Sequence, residues 1–349
     1  MIEIDGSSGS GGGQILRTAC ALSAVTKKPC RVFNVRKSRP KTGLMPQHLL
    51  GIRALSQLCN GKLEGDELGS EEIKFYPGEI YKEQVSVNVP TAGSVTLILQ
   101  ALIPVTFSAN LINSEKAPVP VKIYINGGAT DTFFSPTIDY FRYVFLETLE
   151  RMGIKIEINI LKRGYYPEGG AKTEIKVFSS KLKPVSLTER GNLKNILVIS
   201  GASNSLRVKK VAERQIAGVR EILSKLKLPV EESVEYYDTP CPGSQICLIA
   251  QFENTIISTD NIGKLDKRAE DVGKEAAFEL LKEQKSEACL DKYLADQILP
   301  YLSLGIKKSQ VTASEITSHC KTNIEVIEKF MDGNFEIKNS LISWIPRKT

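Results

Sequence analysis

Two histidines, His48 and His319, are the whole imidazole complement of this 349-residue chain, so chemistry that needs an imidazole has two candidates. His319 sits in Thr317-Ser318-His319-Cys320-Lys321-Thr322-Asn323, just ahead of a helical pattern at 321–331. Thr322 and Glu325 have the spacing of a capping box, a threonine with a glutamate three residues on. A histidine within a turn of a helix N-terminus feels positive potential. That disfavours the imidazolium and keeps the ring neutral and nucleophilic near pH 7. The alternative is a surface or capping histidine. His48, beside Leu49 and Leu50 on an amphipathic segment, reads as structural.

Around these lie groups suited to anions. Residues 6–13, between Asp5 and Gln14, hold five glycines and three serines. Such composition also marks a flexible linker, but here it joins a strand pattern to a helix pattern and so is a loop inside the fold. A glycine loop at a helix N-terminus offers unpaired N–H groups to an anion at the positive end of the helix dipole; a plain tight connection would use the same residues. The segment is neither a P-loop nor a dinucleotide fingerprint. Arg17 follows one turn into an otherwise apolar helix, either snorkelling to water or aimed back at the loop's ligand.

Arg36-Lys37-Ser38-Arg39-Pro40-Lys41 places four cations in six residues, followed by Gln47 and His48. Guanidinium groups suit phosphate because their planar fork makes two charge-assisted bonds, although a basic loop is also an ordinary solvated turn. Further on, Tyr293, Asp296 and Gln297 are spaced to share one helix face. They could stack a base and hold a phosphate-bound metal, or form a polar helix surface. Together these signals point to a phosphorylated ligand, a positive cleft and a neutral nucleophile.

The elements that must position these groups recur in order. Strands at 1–5 and 29–36 alternate with helices at 14–26 and 46–59, and two strands follow. A strand at 83–90, a helix at 93–109, a strand at 121–127 and a helix at 135–153, with Ser135 as cap, lead into a hairpin. A third round opens near Lys183 and resumes with helices at 290–305 and 321–331 and strands near 308–312 and 334–345. Residues 185–286 have their own strand–helix–strand–strand–helix order. The expectation is an α+β fold: three repeated units, each of two helices on a four-stranded sheet, form one large domain over 1–184 and 287–349, and a smaller α/β domain at 185–286 is inserted in the third unit. The alternative is three unrelated small domains in series.

Lys+Arg minus Asp+Glu is 46 − 40 = +6, mildly basic, which suits an enzyme of anionic substrates or a nucleic-acid binder. Seven cysteines with no CxxC pair exclude a zinc ribbon and argue against a disulfide scaffold, so a cytoplasmic setting is expected. No apolar run reaches the ~18 residues of a membrane-spanning helix, and Met1 to Asp5 enter a strand with no signal-like segment.

In joint order, DGSSGSGGGQILR, RKSRPKTGLMPQH, EGDELGS, LQALIP, RGYYPEGG, ERGN, YLADQ and SHCKTNIEVIEKF resemble the RNA 3′-terminal phosphate cyclase family, from residue 5 to 330. The resemblance implies ATP-dependent closure of an RNA 3′-phosphate into a 2′,3′-cyclic phosphate, with Mg²⁺ or Mn²⁺ and an RNA carrying a 3′-phosphate as partners. His319 matches the nucleophile that holds AMP through a P–N bond. Tyr293, Leu294, Ala295, Asp296 and Gln297 match the nucleotide-contacting helix, Gln100 a nucleotide-side glutamine, and Pro136 a proline beside the adenine. Gln14, Arg17, Arg36, Arg39 and Gln47 match positions near the RNA phosphate and the triphosphate.

Two departures stand out. Ser10 replaces a glutamate that bacterial members carry near the metal, leaving the metal's ligands open between Asp296 and the nucleotide phosphates. Ala171 replaces the third glycine of the family's run after Pro167. Competing readings are a non-catalytic ribosomal-RNA processing member of the same fold, which lacks the nucleophile, a general RNA-binding module, and an enolpyruvyl-transferase-like enzyme. Exposed edge strands leave room for a homodimer.

Overall fold

A computed structural model describes residues 1–9, 12–80, 82–112, 120–178, 181–224 and 229–347. The chain opens with β1 (Ile2–Asp5), a glycine-rich loop and α1 (Gly13–Thr26), then returns as β2 (Cys30–Phe33) parallel to β1. α2 (Pro46–Leu58), β3 (Lys62–Glu64) and β4 (Ile73–Tyr76) complete a four-stranded sheet of order β1-β2-β4-β3. α1 is apolar on nearly every side because it packs on α2 and on two later helices, burying Ile15, Leu16, Ala19 and Leu22. Each such Leu or Ile contributes about 1.5–3 kcal/mol.

β5 (Gln84–Ser94) runs directly into α3 (Val95–Ile112), where the Ser94 hydroxyl accepts from Leu97 N (3.3 Å). β6 (Val121–Ala129) pairs parallel with β5. The next helix is built from α4 (Ile138–Tyr140), a π-helical turn (Phe141–Phe145) and α5 (Leu146–Arg151). Ser135 is not its cap. Pro136 separates it from the helix, Thr137 Oγ1 accepts from Tyr140 N, and Ser135 Oγ instead closes its own turn by donating to Thr132 O. β7 (Ile156–Lys162) and β8 (Lys172–Val177) give a second sheet of order β5-β6-β8-β7.

β9 (Ser186–Leu187) pairs with a strand more than a hundred residues away, so this sheet extends past the 184/185 boundary expected from sequence. The segment that follows forms β10 (Leu193–Ser203), α6 (Val211–Leu223), β11 (Val230–Tyr237), β12 (Ser244–Phe252), β13 (Ile256–Ile262) and α7 (Ala269–Lys285), one strand more than its sequence pattern indicated. Its sheet, β11-β10-β12-β13, packs one face on α6 and α7 around Ile196, Val198, Ile246, Leu248 and Ile257, a core of its own. The opposite face sends Ile199, Cys247, Ile249 and Ile256 into the large core.

α8 (Lys292–Ser303), β14 (Ser309–Thr312), α9 (Ser318–Phe330), β15 (Gly333–Lys338) and β16 (Leu341–Pro346) finish the chain, with sheet order β15-β16-β14-β9. Thus α9 begins earlier than the Thr322–Glu325 spacing indicated. Thr317 Oγ1 accepts from Cys320 N (3.1 Å), while Thr322 lies inside the helix and bonds back to Ser318 O. His319 is therefore the second residue of α9 rather than a residue ahead of it. Among the described residues no helix is long and apolar enough to cross a membrane.

Candidate active site

The glycine loop is pinned at its entrance. Asp5 Oδ1 accepts from Ser7 N (2.9 Å), Ser7 Oγ (2.7 Å) and Asn34 Nδ2 (3.2 Å), bonds that hold its carboxyl below the usual range. At the exit two glycines are required. Gly12 has φ of +111°, and a Cβ there would lie 3.4 Å from Arg39 Nε; a Cβ at Gly13 would fall 2.1 Å from His48 Nε2. The loop therefore lies between the basic turn and the start of α2. Ser10 falls outside the described residues.

At the start of α1, Gln14 Oε1 meets His319 Nδ1. With an amide oxygen facing Nδ1, the neutral ring carries its proton there and its lone pair on Nε2. Burial, then the charges of Arg39 and Arg17, pulls His319 below the ordinary histidine range. His48 is buried outright, Nδ1 accepting from Met45 N (3.3 Å), and burial with Arg17 and Arg36 pulls it down to about 3. Both histidines face the same positive cluster and both stand on a helix start, but His48 is 4% exposed with its Nδ1 engaged by Met45 N, whereas His319 is half-buried.

Arg17 has no hydrogen bond or ion pair among the described residues, and burial brings its pKa down to about 10 despite the nearby Asp296. Asp296 is pushed up to about 7, chiefly by burial and against the pull of Arg17. Arg36, at φ +58°, donates from Nε to Lys41 O (3.3 Å). Burial and Arg39 together lower its proton affinity. Arg17 and Gln47 line a narrow cavity with Leu97 and Ala101, and Gln47 Oε1 accepts from Ser94 N (3.2 Å).

On α8, Gln297 Oε1 accepts from Gln100 Nε2 (2.8 Å), joining two residues 197 apart. Tyr293 is 52% exposed. Leu294 and Ala295, between them, turn their side chains fully into the core. Thr18 Oγ1 donates to Asn323 Oδ1 (2.7 Å) and Asn323 Nδ2 to Asp296 O (2.9 Å), tying α1, α9 and α8 together. Pro136 O accepts from Thr96 Oγ1 (3.0 Å).

The structure thus groups Gln14, Arg17, Arg36, Arg39, His48, Asp296 and His319, with Gln47 beside Arg17 and with Gln297, bonded to Gln100 of α3, on the same helix as Asp296. The basic helix α6 is a different matter: Arg214 grips Glu270 (2.8 and 2.9 Å) and Arg220 grips Glu232, so those cations are already paired.

Sequence reading missed Asp291, which caps α8, and Asp260 on β13. Asp291, preceding Lys292 at the helix start, had a legible signal in its residue type; an aspartate in mid-strand had none. No group of three or more metal-ligating side chains occurs among the described residues.

A family model described as RNA 3′-terminal phosphate cyclase matches residues 8–337. The RNA 3′-terminal phosphate cyclase of Pyrococcus furiosus is 43% identical over 347 residues, covering 98% of this chain and 96% of the relative. That of Sulfurisphaera tokodaii is 43% identical over 341 residues (97% and 96%), and that of Saccharolobus solfataricus 42% over 340 (97% and 96%).

Proposed function

The chain belongs to the RNA 3′-terminal phosphate cyclase family, and from that premise we propose that it converts an RNA 3′-phosphate to a 2′,3′-cyclic phosphodiester at the expense of ATP, as a ligase-type nucleotidyl transfer enzyme. The observation that carries this reading is the meeting of His319 with Gln14, Arg17 and Arg39 at the end of the glycine loop.

His319 Nε2 attacks the α-phosphorus of ATP, the bond to pyrophosphate breaks, and AMP stays on the ring through a P–N bond. The terminal phosphate of the RNA then displaces the histidine and takes the adenylate. Its neighbouring 2′-hydroxyl loses a proton, attacks the 3′-phosphorus and expels AMP. Adenylation supplies the leaving group a phosphate monoester lacks, and the 2′-hydroxyl is already in place.

Arg17 fits the triphosphate because its desolvated guanidinium is short of an anion. Arg36 and Arg39 neutralise the phosphates, the latter at the glycine loop. Gln14 orients the imidazole. Tyr293 and Pro136 are read as the walls of the adenine slot, with the Gln100–Gln297 pair beside them. A divalent metal, Mg²⁺ or Mn²⁺, would screen the phosphates. This chain offers Asp296 as one carboxylate toward it, and the phosphates themselves would complete the set.

Three sheets share the strand order and directions of β1-β2-β4-β3, namely that sheet, β5-β6-β8-β7 and β9-β14-β16-β15. This supports reading them as three copies of one unit forming a large domain, which β9 carries past residue 184 and which resumes at 287–349. β10 to α7, with its own core, is then a smaller domain inserted in the third copy.

The non-catalytic alternative would lack the nucleophile, and His319 is present. Incubation with α-labelled ATP and Mg²⁺ or Mn²⁺ is expected to leave label on the protein, stable to base and labile to acid, and to leave only background in His319→Ala. Label retained in that variant would falsify the assignment of the nucleophile; no label on the intact protein favours an RNA-binding role alone.

A further inference from the structure

We infer that β13 of the smaller sheet holds both walls of the base slot, and that Asp260 and Asp291 are positioning residues for nucleotide binding. The inference rests on the proposed function, which makes Pro136 and Tyr293 those walls.

On one side, the backbone N–H of Thr137, next to Pro136, donates to Asp260 Oδ2 at 2.7 Å. Thr137 also caps α4, and Pro136 O is held by Thr96, so this wall is fixed from two directions. On the other side, Asp291 is 0% exposed and its Oδ1 accepts from Tyr293 N (3.0 Å) and Leu294 N (2.9 Å), which starts α8. The same oxygen takes the Tyr140 hydroxyl (2.7 Å), from the helix that Thr137 caps. Asp291 Oδ2 accepts from the backbone N–H of Ser258, at 3.3 Å.

Ser258 and Asp260 are two residues apart on β13, so their side chains leave the sheet on the same face. That face belongs to the large core: their partners across the ladder are Ile249 and Cys247, both in that core, while Leu248 and Ile257 point to the smaller one. One short stretch of strand therefore bonds to the residue after Pro136 and to the carboxylate beneath Tyr293. A carboxylate shared between two elements fixes their separation, and here two of them set the gap into which a base would slide. Among the described residues neither carboxylate is matched with a cation; each accepts from N–H or O–H donors whose positions it dictates.

The test measures self-labelling of the full chain against ATP concentration, with inorganic tripolyphosphate, which has no base, as competitor. Asp260→Ala and Asp291→Asn are expected to raise the ATP concentration for half-maximal labelling about tenfold. Asp291→Asn keeps an oxygen for the α8 cap but turns an amide toward Ser258 N–H. The maximal labelling rate should stay within about twofold, because uniform binding and not transition-state contact is lost. The inhibition constant of tripolyphosphate, corrected for the weaker competition from ATP, should not change. Asp260→Asn, which keeps an acceptor for Thr137 N–H, should recover most of the loss.

If Asp260→Ala fails to fold, Asp291→Asn decides the matter. Unchanged ATP dependence in the folded variants, or equal weakening toward tripolyphosphate, overturns the inference while leaving the proposed function standing. Absence of label on the wild-type protein removes both.

Discussion

Two arginines in this chain, Arg163 buried and Arg17 half-buried, are treated in opposite ways. Arg163, 6% exposed, makes a two-pronged contact with Asp139 (2.8 and 2.6 Å), lies 3.4 Å from Asp131 and stacks on the Tyr237 ring at 4.4 Å. Gln245 donates to the same Asp139 (3.1 Å), and the carboxylates more than offset the burial, so Arg163 holds its proton more tightly than a free arginine. Arg17 has no such partner among the described residues, and the carboxyl that pulls on it, Asp296, is itself raised to about 7. A closed set of charges belongs to the architecture, joining the second sheet to the smaller one. An open set, with a desolvated cation short of an anion, is kept for a ligand that brings one.

Replacing each arginine by methionine gives the largest separation. Arg163→Met strands buried carboxylates and is expected to cost about 3–5 kcal/mol in denaturant unfolding. Arg17→Met removes a cation that folding must desolvate, so stability should hold or rise, while self-adenylation falls about 10²–10³-fold. The comparison breaks if Arg17→Met proves as destabilising as Arg163→Met, or if it labels at the wild-type rate.

Acidity sharpens it further. His319 must be neutral to attack, and burial, Arg39 and Arg17 lower its pKa, so the acid limb of self-adenylation should lie below the usual histidine value of about 6.5. Arg39→Gln removes the second of these causes and should move that limb upward; a limb that stays put would detach Arg39 from the nucleophile. Asp296 has the opposite sign. Its carboxyl rises from 3.8 to about 7 in the folded chain, so the folded state holds the extra proton in that window. This stability is fully present below 3.8 and is lost as pH climbs through about 7. Unfolding curves of Asp296→Asn at a series of pH values should lack that decline; curves parallel to wild type would show that Asp296 is not the group titrating there.

The open half of this comparison was the more legible in sequence, because its parts are local. A run of glycines, an arginine one turn into an apolar helix and a histidine near a helix start all show themselves within a few residues. The closed half depends on partners brought together by the fold: Arg163 finds Asp139 and Tyr237, and Asp260 finds Thr137, across separations no spacing rule encodes. Leu294 and Ala295 show a different gap, since a motif matched as a block says nothing about which of its side chains turn inward. Element order was legible from periodicity. Helix starts were not, because Ser135, Thr137, Thr317 and Thr322 are all residues that favour caps, and only hydrogen-bond geometry chooses among them.

That last ambiguity gives the smallest effect and the most local one. Thr317 caps α9 as Asp291 caps α8, and His319 rides on the first turn it secures. Thr317→Ala is expected to cost about 1 kcal/mol, the usual worth of a threonine cap. It should slow self-labelling a few-fold as the turn bearing the imidazole frays. Thr322→Ala leaves the Thr317 cap in place, because the Thr322 hydroxyl bonds back to Ser318 O inside the helix, so its cost in unfolding should be the smaller of the two. Denaturant unfolding and labelling rates on the two variants rank the caps directly. Should Thr322→Ala prove the more damaging, the helix would start where the Thr322–Glu325 spacing puts it. His319 would then sit ahead of the dipole rather than upon it, and its contact with Gln14 would have to come from a loop.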